Sequence, residues 1–535
     1  MNTIGYDFKD PFISFGELQI AIRLSTDGNI YCPSPNSLST HTSVGRSVLK
    51  SAMLSAAGGQ IISKGSLELE VSCEAGRYVI TGKGFHPTES CISLVILIKG
   101  LSPQALVSES SNMGKHLFRE QIGIETIQYP GREATMPLVF IENENEDWFI
   151  LSKDDQVRQK SFAAYFDPLD NERVSVIAHR EDRRRWSNEI SMPEWHIGKT
   201  NNRGSIVLER CMDLELHYGH VPFDEQETVK WLDDIKLVVN FHGEHWTGHL
   251  FHTFDQMTEQ LHWLSERIAG HQLLVFLPAW DGRYYCTYPE YQPSERMGGE
   301  TGLRRFVDVA HLLGVKVIPM LGGPNLATFT FMEKHGLTAA ALKSESGFPL
   351  LQDWVDWNGD LTKEHMGYLV NFGHPGFQQY MINKAKDLIE NYGFDGLFLD
   401  GAIRWSNAPD YSPYEGIVTW AQTMRERYPD KLLMAEDGYD ALWNQFKLFA
   451  TSWGPLGLDQ AMLRYTRQTE YLAFAAVDGS SGVHEVGYRW PSLDKAFKDK
   501  TIPTIALFHD SIKRFGHELE QKIELYKTWK LSKIK

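Results

Sequence analysis

Two textures divide the chain. Up to about residue 220, short runs with strand composition, many of them alternating apolar and polar, are separated by Gly, Ser and Asn, and helical periods are scarce. Residues 18–24, 67–73 and 77–82 have this character, and 91–98 is a continuous apolar run of the kind that is buried on both faces. Residues 148–152, 174–179 and 205–210 extend the pattern, which predicts a large antiparallel β-sandwich over 1–225. From Trp231 the texture changes to short apolar runs alternating with stretches of helical period. Strands are predicted at 236–241, 272–278, 315–320, 396–399, 431–436, 447–451, 471–478 and 501–508, with helices at 254–268, 302–313 and 375–392 between some of them. Alternation of this kind over 226–535 matches a (β/α)8 TIM barrel in count and size. A doubly wound sheet would also alternate, but no GxGxxG follows the first strand.

The stretch from Gly393 to Gly401 organises the second half. Gly396–Leu399 is a short apolar run that ends abruptly on Asp400 and Gly401, and it follows a helix whose apolar positions include Phe377, Met381, Ala385, Leu388 and Ile389. Helix, glycine turn and buried strand is how a βα unit returns to a parallel sheet. A carboxylate at the carboxyl end of a barrel strand stands on the face where such barrels hold their chemistry. The structural alternative is an Asp that caps the next helix.

Composition then removes several classes. A net charge of −16 argues against a nucleic-acid protein, since phosphate binding needs clustered cations, and the one basic knot, 180–185, reads as a solvated loop. The five cysteines are widely spaced with no CxxC pair, so neither a disulfide framework nor a zinc site is indicated. No apolar run approaches a membrane span and no secretory signal is visible at the first residues, so a soluble, reduced, cytoplasmic protein is expected.

The predicted strands end on a polar and aromatic list: His242, Glu244, Trp246, Trp280, Asp281, Asn325, Asp400, Arg404, Trp405, Glu436, Asp437, Trp453 and Asp478. Indole faces stack on the C–H face of a sugar and carboxylates accept hydroxyl hydrogen bonds, so the list describes a pocket for a polyhydroxylated ring. Taken singly, each Trp is equally a core or rim residue. Asp400 and Glu436 end neighbouring predicted strands, which lie about 4.8 Å apart. Their carboxyls can therefore stand about 5–5.5 Å apart, the separation of a retaining glycosidase pair. In that scheme Asp400 is the nucleophile and Glu436 the acid/base, with no metal or cofactor. The alternatives for Glu436 are that Asp437 or Asp440 does the work, or that the segment 436–438 is a turn.

With its preceding helix and Asn371–Phe377, the 393–401 segment resembles the fourth-strand region of retaining α-glycosidase barrels, namely the α-amylase superfamily and the α-N-acetylgalactosaminidases. The resemblance implies an Asp nucleophile on strand four, matched by Asp400. The amylases imply a Glu acid/base on strand five, matched by Glu436. They also imply a third, transition-state-stabilising acid on strand seven, where Asp478 falls. A β-sandwich ahead of the barrel is similar to the α-N-acetylgalactosaminidase and α-galactosidase arrangement. The chain departs from amylases at Phe398, where they carry Arg, and it lacks their Asn-His-Asp motif, which leaves the sugar open.

A hydrolase for an oligosaccharide or glycoside is therefore the leading expectation. A transglycosidase on the same barrel is a second, and a non-catalytic carbohydrate-binding or scaffold protein a third. A metal-dependent hydrolase using His242, His245 and His249 is a fourth, though the i,i+4 pair lacks the Glu of HExxH.

Overall fold

Buried apolar pentads make the skeleton of the second half. Leu237–Phe241 (β1), Leu273–Leu277 (β2) and Leu432–Glu436 (β5) are buried along their whole length, as is the tetrad Gly396–Leu399 (β4). Strands covered on both faces pair in parallel in α/β proteins. With Lys316–Leu321 (β3), Leu448–Thr451 (β6), Arg467–Glu470 (β7) and Thr504–Leu507 (β8) they form one eight-stranded sheet in the order β7-β6-β5-β4-β3-β2-β1-β8. Every pairing is parallel. At the seam, Thr469 of β7 bridges Ile502 just ahead of β8, the Ile502 N–H donates to the Gln468 carbonyl at 2.8 Å, and the barrel is nearly closed. This computed structural model describes residues 10–101, 107–108, 125–142, 146–167, 172–226, 229–245, 248–283, 286–352, 366–451, 459–470 and 500–528.

Helices return the chain between strands. Phe254–Ser265 starts with a capping box in which Thr253 and Gln256 bond reciprocally, and Gly299–Leu312 follows β2. Pro375–Tyr392 has Pro in its first turn and ends at Gly393 with φ 76°, a left-handed position that costs Gly nothing. Pro413–Arg427 is capped by the Ser412 side chain.

One barrel strand departs from expectation. The seventh is Arg467–Glu470, a polar stretch with no apolar run to announce it, and the predicted 471–478 lies outside the described residues. Its register comes from β6, through Leu448 opposite Arg467 and Thr451 opposite Glu470, so the neighbour specifies the strand.

By Cα proximity the chain divides into two units, the first comprising Met1–His220 with Tyr439–Ala441 and Leu456–Ala461, the second the remainder. The first unit holds a sixteen-stranded antiparallel sheet running from Glu125–Tyr129 at one edge to Val107–Ser108 at the other. It folds back so that its faces pack together. A Cβ on Gly82 would stand 2.8 Å from Ile22 Cδ1, and the Phe162 and Trp195 rings meet edge to face at 5.7 Å. The stretch 205–210, expected as a strand, lies instead in the helix Arg203–Tyr218. Asn202 caps its start, Gly219 closes it at φ 66°, and Ile206, Val207, Arg210, Cys211 and Leu214 form its buried face. The run Ile-Val-Leu looked β-like because its i+4 partners come only after the charged pair Glu209-Arg210.

In the first unit's core, Arg210 Nε donates to Asp440 Oδ2 at 2.8 Å, the Tyr129 hydroxyl donates to Oδ1 at 2.8 Å, and both charged side chains are almost wholly buried. Burial and the Asp440 charge push the Tyr129 hydroxyl well above its ordinary pKa, so it stays a donor. Arg210→Met would leave the Asp440 carboxylate buried and uncompensated. A loss of about 3–5 kcal/mol is expected in denaturant unfolding of the first unit, and a loss below about 1 kcal/mol would mean that Asp440 is hydrated.

Candidate active site

The β4–β5 ladder determines which side chains share the barrel interior. The Phe276 ring of β2 meets the Phe398 ring of β4 at 4.6 Å although β3 lies between their strands, so both point inward. Side chains alternate along a strand, so Asp400, two residues beyond Phe398, leaves the same face. Phe398 pairs with Met434 and Leu399 with Ala435, and one further step of the register sets Asp400 beside Glu436. Both acids are almost fully buried at the carboxyl ends of adjacent strands.

The hydrogen bonds around them form one network. The Gly401 N–H donates to Glu436 Oε2 at 3.1 Å, tying the acid of β5 to the residue after Asp400. Asn325 Nδ2 donates to Asp400 Oδ2 at 3.1 Å, and Asn325 Oδ1 accepts from Arg404 Nε at 3.0 Å. The amide thus reads both neighbours in one orientation. Asn325 sits in the turn Gly323–Asn325 after β3, where the Gly323 N–H donates to the Tyr291 hydroxyl at 3.1 Å. Gly401 has φ 70°, and a Cβ there would stand 2.9 Å from Asn325 Cβ, so chain conformation and close approach both require glycine.

The remaining expected residues scatter. Trp280 is fully buried, donates its indole N–H to the Met320 carbonyl at 3.0 Å and meets Phe394 edge-on at 5.9 Å. Its indole is packed and hydrogen-bonded within the described residues. Glu244 is ion-paired with Arg296, which also donates to the Gly248 carbonyl at 2.9 Å. His242 is buried, with its ring edge-to-face on Phe251 at 5.4 Å and its carbonyl 2.9 Å from His252 Nδ1. Burial also lowers the His245 and His252 imidazoles to about 4. Among the described residues no group of three His, Cys, Asp or Glu is arranged to hold a metal. Trp405 is partly buried in the loop after Asp400. Trp246, Trp453 and Asp478 lie outside the described residues.

Tyr291 escaped the sequence reading. It lies in an aperiodic loop, is fully buried, and adopts φ 49°. Ala279 and Asp437 share such positive φ angles at the ends of β2 and β5. Non-glycine residues pay for this conformation and persist in it where their surroundings hold them. Only the aromatic content of 288–291 could have hinted at it.

Asp281 is the outlier in electrostatics. It is 6% exposed, and among the described residues neither carboxylate oxygen has a hydrogen-bond partner from another residue. Burial pushes its pKa up to about 8, only partly offset by the Lys384 ammonium. The folded protein therefore holds a proton that the unfolded chain has released above the ordinary carboxyl range. Stability attributable to this residue falls as pH rises from about 4 to about 8. Asp281→Asn removes the titration, so its advantage over wild type in denaturant unfolding should grow across that window by at least ~1.4 kcal/mol, the equivalent of one pKa unit. A flat difference would show Asp281 ionised in the folded state.

No family model matches the chain. A 174-residue stretch is 30% identical to the 1,4-alpha-glucan branching enzyme GlgB of Novosphingobium aromaticivorans, covering 31% of this chain and 22% of that enzyme. A 155-residue stretch is 31% identical to GlgB of Rhizobium radiobacter, covering 28% and 19%. The chain thus spans about a fifth of the length of these curated relatives. Among solved structures, alpha-N-acetylgalactosaminidase NagBb from Bifidobacterium bifidum with bound GalNAc superposes with a TM-score of 0.67 at 11% identity, over 97% of this chain and 93% of that one. Its ligand-free form gives 0.61 at 12%, over the same shares. In fold the chain resembles α-glycosidase barrels that carry a β-rich unit ahead of the barrel, as its fourth-strand segment implied.

Proposed function

We propose that this protein is a glycoside hydrolase that cleaves an α-glycosidic bond with retention of configuration. The observation that carries the reading is the placement of Asp400 and Glu436 at one register step on adjacent parallel strands, joined through the Gly401 N–H. Adjacent strands supply the ~5–5.5 Å between carboxyls that a retaining pair needs. Asp400, oriented by Asn325, attacks the anomeric carbon while Glu436 gives its proton to the departing oxygen. Glu436, now ionised, takes a proton from the water that attacks the glycosyl-enzyme, and Asp400 leaves as carboxylate. Asp440 is a poor substitute for Glu436 because Arg210 and Tyr129 already occupy its carboxylate. His242, Glu244, Asp281, Arg404 and Trp405, with Trp246, Trp280 and Trp453, were expected to hold the sugar. Of these, Asp281, Arg404 and Trp405 keep that proposed role best. Asp478 keeps the third-acid role that the family resemblance implies.

The stretch similar to branching enzymes favours a second reading, in which a sugar hydroxyl replaces water in the second step. Products formed with and without an added oligosaccharide acceptor separate the two. A longer glycan as the main product would make the protein a transglycosidase.

Asp400→Asn should cut turnover of nitrophenyl α-glycosides by about 10³-fold or more with an unchanged thermal transition. A variant that keeps a tenth of wild-type rate would remove Asp400 from the chemistry, and a wild type inert on every glycoside would favour a binding protein. Glu436→Gln should slow substrates with poor leaving groups by about 10²–10⁴-fold, and activated aryl glycosides far less. Azide should restore the latter by trapping the intermediate as an α-glycosyl azide. Equal losses on both substrate types and no azide adduct would point to Asp437 instead.

A further inference from the structure

The Arg404 side chain is held at one end and open at the other. The Arg404 N–H donates to the Gly401 carbonyl at 2.9 Å, closing a turn right after Asp400. Its Nε donates to Asn325 Oδ1 at 3.0 Å, which fixes the plane of the guanidinium. The terminal nitrogens Nη1 and Nη2 have no hydrogen bond or ion pair among the described residues, and the residue is only partly buried. If the guanidinium served to neutralise the nucleophile it would pair with Asp400 directly. A neutral amide stands between them instead, so among the described residues the charge is not spent on an acid of the chain.

We propose that Arg404 is a specificity-determining residue for a substrate bearing an oxyanion substituent, a sugar carboxylate or sulfate, close to the scissile bond. The proposal rests on the glycosidase reading and deepens it. A guanidinium whose Nε is taken presents its two terminal N–H groups as a fork, which matches two oxygens of one carboxylate or sulfate. The setting makes such a cation necessary. The chain carries a net charge of −16, and Asp400 and Glu436 line the same strand ends, so an anionic sugar without a partner there would be repelled. A neutral sugar gains far less from the fork, because a hydroxyl offers one acceptor oxygen and no charge.

The test compares nitrophenyl α-hexosides with the matching uronides and 6-sulfates, in wild type, Arg404→Lys and Arg404→Gln. Wild type should favour at least one anionic series over its neutral parent by tenfold or more in kcat/KM, and which series it favours separates carboxylate from sulfate. Lysine keeps the charge and loses the fork, so the anionic-to-neutral ratio should fall about tenfold in Arg404→Lys and about a hundredfold in Arg404→Gln. A wild type that prefers neutral hexosides overturns the proposal while the glycosidase reading stands. A ratio unchanged in both variants does the same. Calorimetry with free uronic acids and sulfated monosaccharides covers the opposite case. Binding that weakens at least tenfold in Arg404→Gln, in a protein that turns over no glycoside, upholds the anion site and removes the glycosidase reading. Absence of both binding and turnover overturns both.

Discussion

The ladder between β4 and β5 is the constraint on which the site depends. Gly396 pairs with Leu432, Leu397 with Leu433, Phe398 with Met434 and Leu399 with Ala435, all in parallel. Slipping that register by one residue would turn either acid to the opposite face of the sheet. The slip is resisted from both sides. Phe398 packs on Phe276 inside the barrel, and a Cβ on Gly396 would stand 2.2 Å from the Leu432 carbonyl, so the strands approach closely only with glycine there. The site is thus a by-product of how two apolar strands pack, with the acids placed one step beyond the packed residues.

Around that ladder the second layer is built from turns that only particular residues tolerate. Gly323 and Gly401 have positive φ, and Tyr291 and Asp437 adopt it without being glycine. Tyr291 offers a reason for its strain, since its hydroxyl accepts the Gly323 N–H and so supports the turn that carries Asn325. Local strain is tolerated where hydrogen bonds and packing over-determine the conformation. Here they deliver one amide to the side chains of Asp400 and Arg404.

The sequence made the apolar elements legible and left the polar ones dark. Gly396–Leu399 and Pro375–Tyr392 were read with their true bounds because a helical period, a left-handed glycine and a buried run agree there. Arg467–Glu470 has no hydrophobic signature and exists by virtue of its neighbours, so the expectation there fell on 471–478, which lie outside the described residues. The helix Arg203–Tyr218 was taken for a strand because its apolar residues cluster at the start, where three in a row mimic a β run. The rule that strand ends carry chemistry selects Asp400, Glu436 and Asn325, which the structure brings together. The same rule selects Trp280, and whether an indole at a strand end faces the pocket or the packed interior depends on the turn that follows. That turn carries Ala279 at φ 51°, which no propensity announces. Tyr291 was invisible for a similar reason.

The amide between Arg404 and Asp400 also bears on the proposed catalysis, in which Asp400 is the nucleophile. A guanidinium in direct contact with the nucleophile would stabilise the free carboxylate, and that stabilisation is lost as the carboxylate becomes an ester. Interactions stronger in the ground state than in the transition state raise the barrier. Asn325 donates a single neutral hydrogen bond to Asp400 Oδ2, enough to orient the carboxylate at modest cost in nucleophilicity. Its carbonyl holds Arg404 Nε, so one planar group fixes the angle between Asp400 and Arg404. A Leu at this position would remove both of these hydrogen bonds at once. On the proposed reading, separating orientation from charge in this way would let the barrel keep a reactive carboxylate and a cation for the ligand within one small group of turns.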